Sequence, residues 1–302
     1  MPAFANTLLG ASVVLGVAVA IVSARGRLAV ILRGGVVLVA SVAYVAGYAL
    51  FALAAGLEGF AQPIFGVTVG LLLAVSTVVL SVAWGAYLAQ FNLRQALLWL
   101  AEKQFGPGVA ALVELLLSSV TFAVGLIVFA VLVPLSCLVP CWLAWRGRLI
   151  AVREAGEVES RSAPTLGAMA QLRQMAQVVA MPFVGLMVFA FMMGARKFVL
   201  FDVVHMEVLG CVLGAVVVLP ICLMRTRVPL MPLIYRVLVP LFALLLIFLN
   251  CFPASTGPMW FAAWMSYAFY GAVAILALAG LVAAAHASEF SPGLIFGTTV
   301  AG

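Results

Sequence analysis

Apolar runs of about 20 residues, broken by short turns that hold most of the arginines, constrain this chain more than any other feature. Thr7–Ala24 is followed by Arg25, Arg27 and Arg33. Gly34–Leu57 is closed by Glu58 and Gly59. Ile64–Ala89 leads into Asn92–Phe105, an amphipathic stretch with Arg94, Glu102, Lys103 and an interfacial Trp99. A run of ~20 apolar residues matches a hydrocarbon layer ~30 Å thick. The pattern therefore predicts a polytopic α-helical membrane protein.

Composition removes the soluble alternative. Of the 302 residues, 67% are hydrophobic and 8% charged, with a mean hydropathy of +1.31. A soluble chain carries about 25% charged residues to cover its surface. The net charge of +6 sits in turns between apolar runs, where arginines set topology by marking the inner face. No direct contact of this chain with nucleic acid is expected. The run at 7–24 lacks a preceding basic region and is read as a first span rather than a signal peptide.

Gly108–Trp145 would run ~57 Å as one helix, nearly twice the hydrocarbon thickness. Arg146, Arg148 and Arg153 should share a side with the Arg25–Arg33 and Arg94–Lys103 turns. That parity calls for two short crossings with a turn near Ala123–Leu126, the second distorted by Pro134 and Pro140. Residues 146–177 read as a cytoplasmic linker between a first transmembrane half, 1–145, and a second, 178–302. Spans are expected at Val178–Gly194, Val208–Met224, Leu233–Cys251 and Phe261–Ala284. Phe252–Pro258 forms an outer turn, with Trp260 and Trp264 as belt residues. Gly293–Gly302 is half a span, read as a stub of a chain truncated at its C-terminus. The expected fold is all-α: an incomplete transmembrane bundle of about nine full spans plus that stub. The expected localisation is the bacterial inner (plasma) membrane, multi-pass.

Polar residues within this framework are the candidate sites. Glu114 lies among apolar neighbours. It reads either as an intramembrane proton or cation relay or as a carboxylate reaching the inner interface. Arg196, Lys197, Asp202, His205 and Glu207 form an outer-face charged cluster. It reads either as a ligand vestibule, with His205 responding to mildly acidic pH, or as a solvated loop. His286 is placed in a loop. Cys137 and Cys141 form a C-x3-C without a histidine or second cysteine pair, so no metal or other cofactor is expected. Gly66–Gly70 and Gly210–Gly214 are small-xxx-small patterns, favoured for packing within the chain over dimerisation. There is no G-x-x-x-x-G-K-[ST], H-E-x-x-H or G-x-S-x-G, and no enzymatic activity is expected. The expected partners are the lipid bilayer and an unidentified small-molecule ligand. The oligomeric state is left open.

Two resemblances add to this. Two halves joined by a long inner linker resemble the major facilitator pattern without its first and last helices. The loop Ser23–Arg33 keeps the basic residues and a glycine, Gly26, of that family's signature but has no acidic residue. More closely, Pro182-Phe-Val-Gly185, Met193-Gly194-Ala-Arg196-Lys197, Tyr267-Ala-Phe-Tyr270-Gly and Glu289-Phe-Ser-Pro292 through Thr299 resemble membrane proteins of gut actinobacteria. In those, a major-facilitator-like region precedes a LuxR-type helix-turn-helix domain. This resemblance implies the membrane-embedded sensor module of a LuxR-type transcriptional regulator, here without its DNA-binding domain. The alternative is a major-facilitator-like secondary transporter of a small solute.

Overall fold

A computed structural model describes residues 2–54, 61–101, 122–146, 170, 173, 212–220, 240, 241, 243, 244, 257–286 and 291–301. All regular structure among them is helical. The principal elements are α1 (Pro2–Ala24), α2 (Leu28–Ile31), α3 (Gly34–Ala54), α4 (Ala61–Leu88), α5 (Phe122–Trp145), α6 (Gly257–His286) and α7 (Pro292–Ala301). Residues 93–101 and 212–220 are also helical.

The chain groups into two compact units. One comprises Met1–Gln90, Phe122–Ala176 and Ala284–Gly302; the other comprises Phe91–Thr121 and Gln177–Ala283. In the first unit α4 is central and packs against α1, α3, α5 and α7. Its seam is lined by small and branched residues that exclude solvent, among them Val69, Ala74, Val78, Val82 and Ala83. Gly66 and Gly70 lie against the backbone of Phe4 and the side chain of Thr7, so this small-xxx-small pair brings α4 close to α1. Where helices meet in lipid, removing the side chain lets backbones approach and multiplies van der Waals contact.

α1 ends in a reversal that only glycine takes without strain. Gly26 has φ 75, the left-handed region where a Cβ crowds the backbone. Its N–H bonds the Ser23 carbonyl at 2.9 Å, and the Arg27 N–H bonds the Val22 carbonyl at 3.1 Å. This is the paired pattern of a Schellman stop. The chain then makes the single turn α2, with Leu28 and Leu32 buried and Arg25, Arg27 and Arg33 exposed.

α7 is short but deeply packed. Ser291 caps it, its hydroxyl accepting from the Leu294 N–H at 3.3 Å, and Pro292 occupies the first helical position. Leu294 and Ile295 are each 1% exposed. The Phe296 ring lies on Gly85 of α4, and Gly297 meets the backbone of Gly16 and Ala20 on α1. The expected stub is thus a helix held inside the first unit.

In the second unit, Asn92 caps the helix at 93–101, its Oδ1 accepting from the Gln95 N–H at 2.9 Å. Ala96, Leu97, Leu100 and Ala101 are buried while Arg94, Gln95, Leu98 and Trp99 are exposed. The expected amphipathic stretch is therefore helical over these residues. Gly214 lies against the backbone of Ala268 and Ala272 on α6.

The expectation of nine full spans is corrected. Among the described residues four helices are long and apolar enough to cross a membrane: Ala3–Ala24, Gly34–Leu53, Pro63–Leu88 and Met265–His286. Two of the expected boundaries also change. The turn expected at Ala123–Leu126 is absent, because α5 is continuously helical from Phe122 to Trp145 through Pro134 and Pro140. A proline in a transmembrane helix is tolerated where neighbours re-satisfy the freed backbone. The first of the two crossings expected in Gly108–Trp145 falls on 108–121, outside the described residues. The outer turn expected to end at Pro258 is also shorter at that end, since α6 already begins at Gly257. The expected spans at Val178–Gly194, Val208–Met224 and Leu233–Cys251 lie wholly or mostly outside the described residues.

Candidate functional site: a hydroxyl and thiol cluster between α3 and α5

α3 and α5 run antiparallel. Gly34, at the start of α3, abuts the backbone of Ala144 and Trp145 at the end of α5. One to two turns further on, Val37 and Ser41 meet Cys141. Ser41, Tyr44 and Tyr48 recur at steps of three and four residues along α3, and Cys137 and Cys141 are four apart on α5. Such spacings place side chains on one helix face.

The polar atoms of this face answer one another. The Ser41 hydroxyl donates to the Val37 carbonyl at 2.8 Å, and the Cys141 thiol donates to the Ser41 oxygen at 3.0 Å. The Tyr44 and Tyr48 hydroxyls are 3.5 Å apart, their rings edge-on with centroids 4.9 Å apart. Cys137 is 5% exposed, and its sulfur lies 4.0 Å from the Ser136 hydroxyl. Both cysteines are free thiols. In an apolar interior an unpaired hydroxyl is costly, so such groups concentrate where each has a partner.

Chemically this is a short ladder of neutral donors and acceptors in an apolar wall. It can hydrogen-bond an uncharged polar molecule. No group of three or more His, Cys, Asp or Glu side chains that could hold a metal ion occurs among the described residues.

Glu114, Arg196, Lys197, Asp202, His205 and Glu207 all lie outside the described residues. His286 departs from the loop expected for it. It is the last residue of α6, and its Nδ1 lies 2.9 Å from the Ala89 carbonyl oxygen. A carbonyl only accepts, so Nδ1 carries the proton in this contact. The contact satisfies one carbonyl just past the end of α4. Sequence reading passed over Ser41, Tyr44 and Tyr48, although their spacing carried the signal. It set aside the two cysteines because their partner, Ser41, is about a hundred residues away and invisible to local motifs.

Comparison with models of protein families, with curated proteins and with solved structures gives no match. Identification therefore rests on the helices themselves, and by their length and apolar character this is a polytopic α-helical membrane protein.

Proposed function

We propose that the chain is a membrane-embedded sensing module, of the kind that feeds a LuxR-type transcriptional regulator in a bacterial plasma membrane. The observation that carries this reading is the Ser41–Cys141 hydrogen bond between α3 and α5, with the paired Tyr44 and Tyr48 hydroxyls following on α3 at helical spacing. Neutral hydroxyls and a thiol in an apolar wall suit recognition of a small, uncharged or weakly polar ligand. A ligand seated there would change the α3–α5 contact, which is the differential interaction a sensor needs. The resemblance of the strings around Pro182, Tyr267 and Pro292 to regulator membrane regions supports the same reading.

The test uses the protein in proteoliposomes, with Cys211, Cys222 and Cys251 changed to Ser so that only Cys137 and Cys141 report. Small polar metabolites are screened for protection of these thiols against a membrane-permeant maleimide. A sensing module gives saturable protection that weakens about tenfold in Ser41→Ala, the effect of losing ~1.4 kcal/mol of binding, and no counterflow of the protecting solute. Counterflow of that solute would overturn the sensing reading in favour of transport. Protection unchanged by Ser41→Ala would remove the cluster as its site.

A further inference from the structure

One end of the first unit is built as a basic and aromatic rim. The Schellman stop at Gly26 exposes Arg25 and Arg27 on either side of the reversal. Arg33 follows α2 immediately before α3. The antiparallel packing that sets Gly34 against Trp145 brings Arg33 and Arg146 to the same end of the α3–α5 pair. All four arginines are exposed.

Two tryptophans accompany them. Trp142 is 48% and Trp145 79% exposed, and the Arg146 guanidinium stands 4.4 Å from the centre of the Trp142 ring. Tryptophan favours the headgroup level, where its body is apolar and its N–H is wet. Stacking fixes the plane of the Arg146 guanidinium and leaves its N–H edge free, and that edge matches phosphate oxygens two at a time. Setting topology requires only positive charge. It does not require exposed indoles beside the charge or a guanidinium braced on one of them.

We propose that this rim selectively binds anionic phospholipid, with a lipid phosphate held between Arg33 and Arg146 and neighbouring anionic headgroups against Arg25 and Arg27. The proposal is independent of the sensing reading. Each basic side chain near an anionic surface favours binding by about fivefold, the equivalent of ~1 kcal/mol.

The experiment is quenching of tryptophan emission in nanodiscs of phosphatidylcholine containing a fixed fraction of phosphatidylglycerol. The bromine quencher is carried on the acyl chains of one lipid or the other. The part of the signal owed to the rim is isolated by subtracting the Trp142→Phe/Trp145→Phe variant. Brominated phosphatidylglycerol should quench that part several-fold more efficiently than brominated phosphatidylcholine at equal mole fraction. The preference should fall to about one in Arg33→Gln/Arg146→Gln, since each arginine carries about fivefold of it at most, and weaken with added salt. Arg33→Lys/Arg146→Lys, which keeps the charge but not the planar fork, should restore it only in part. Excess inorganic phosphate should not displace the lipid. Equal quenching by the two brominated lipids, or full competition by free phosphate, overturns the proposal. Cysteine accessibility at Glu58→Cys confirms that the charge variants keep their topology.

Discussion

α1 and α6 are nearly equal in hydropathy as spans, yet only 22% of the α1 window is buried within the protein against 61% of the α6 window. α1 turns Leu9, Val13, Val14, Val17 and Ile21 outward, a stripe at helical spacing. α6 buries Ile275, Leu276, Ala279 and Val282. In water such a contrast would show as a polar face on one helix and an apolar face on the other. In lipid it does not, because hydrocarbon tails are as apolar as leucine and confer no hydrophobic preference for protein over lipid. What distinguishes a buried face is the size and fit of its side chains rather than their polarity.

The sharpest way to break this comparison is a cavity in α6. Ile275 is 1% exposed, and Ile275→Ala should cost about 3 kcal/mol through lost packing and the void left behind. Val14→Ala, at a position 68% exposed, should shift the same unfolding midpoint in detergent by no more than a few tenths of a kcal/mol. Equal losses would mean that the outward face of α1 is covered by something other than lipid. A charge asks what that face touches. Val14→Arg sits near the centre of the span and should lower membrane insertion by about 3 kcal/mol, read from a glycosylation-mapping reporter; unchanged insertion would place water there.

Next in size is the seat of α7. A side chain at Gly297 would meet backbone of Gly16 and Ala20, which cannot rotate away, so Gly297→Val should destabilise by about 2 kcal/mol in thermal unfolding. Gly10 has open space around it, and Gly10→Val should be near neutral. The smallest effect is at the α3–α5 cluster. Cys141→Ala removes one inter-helix hydrogen bond and should cost about 0.6 kcal/mol, the usual worth of such a bond in a bilayer. A loss of several kcal/mol there would make the cluster a structural clamp instead of a ligand face.

Parts of the fold were legible in the sequence. Thr7–Ala24, Gly34–Leu57 and Ile64–Ala89 lie within four residues of the spans found, the far end of the second falling outside the described residues. Their ends are marked by charge and by Gly26, and charge is costly inside a bilayer whatever the tertiary fold. The count of spans was not legible. Around Phe122–Trp145 the place of the turn was not legible, since Ala123–Leu126 is helical, while the prolines at 134 and 140 lie inside a helix as expected. Gly293–Gly302 was legible as a short apolar segment, but not that Gly16, Ala20 and Gly85 form a seat for it. The α3–α5 cluster was half legible, as two stripes of polar residues with nothing to say that they meet.

By itself, then, the sequence determined the solvent and the class of fold. Every backbone group in hydrocarbon must be paired within its own helix, and a chain this apolar has no other environment in which to be stable. Tertiary structure alone decided which apolar faces meet each other and that α7 is packed within the first unit. Those outcomes depend on which small residues oppose which across a helix crossing. Hydropathy, being nearly uniform along these spans, carries no record of it.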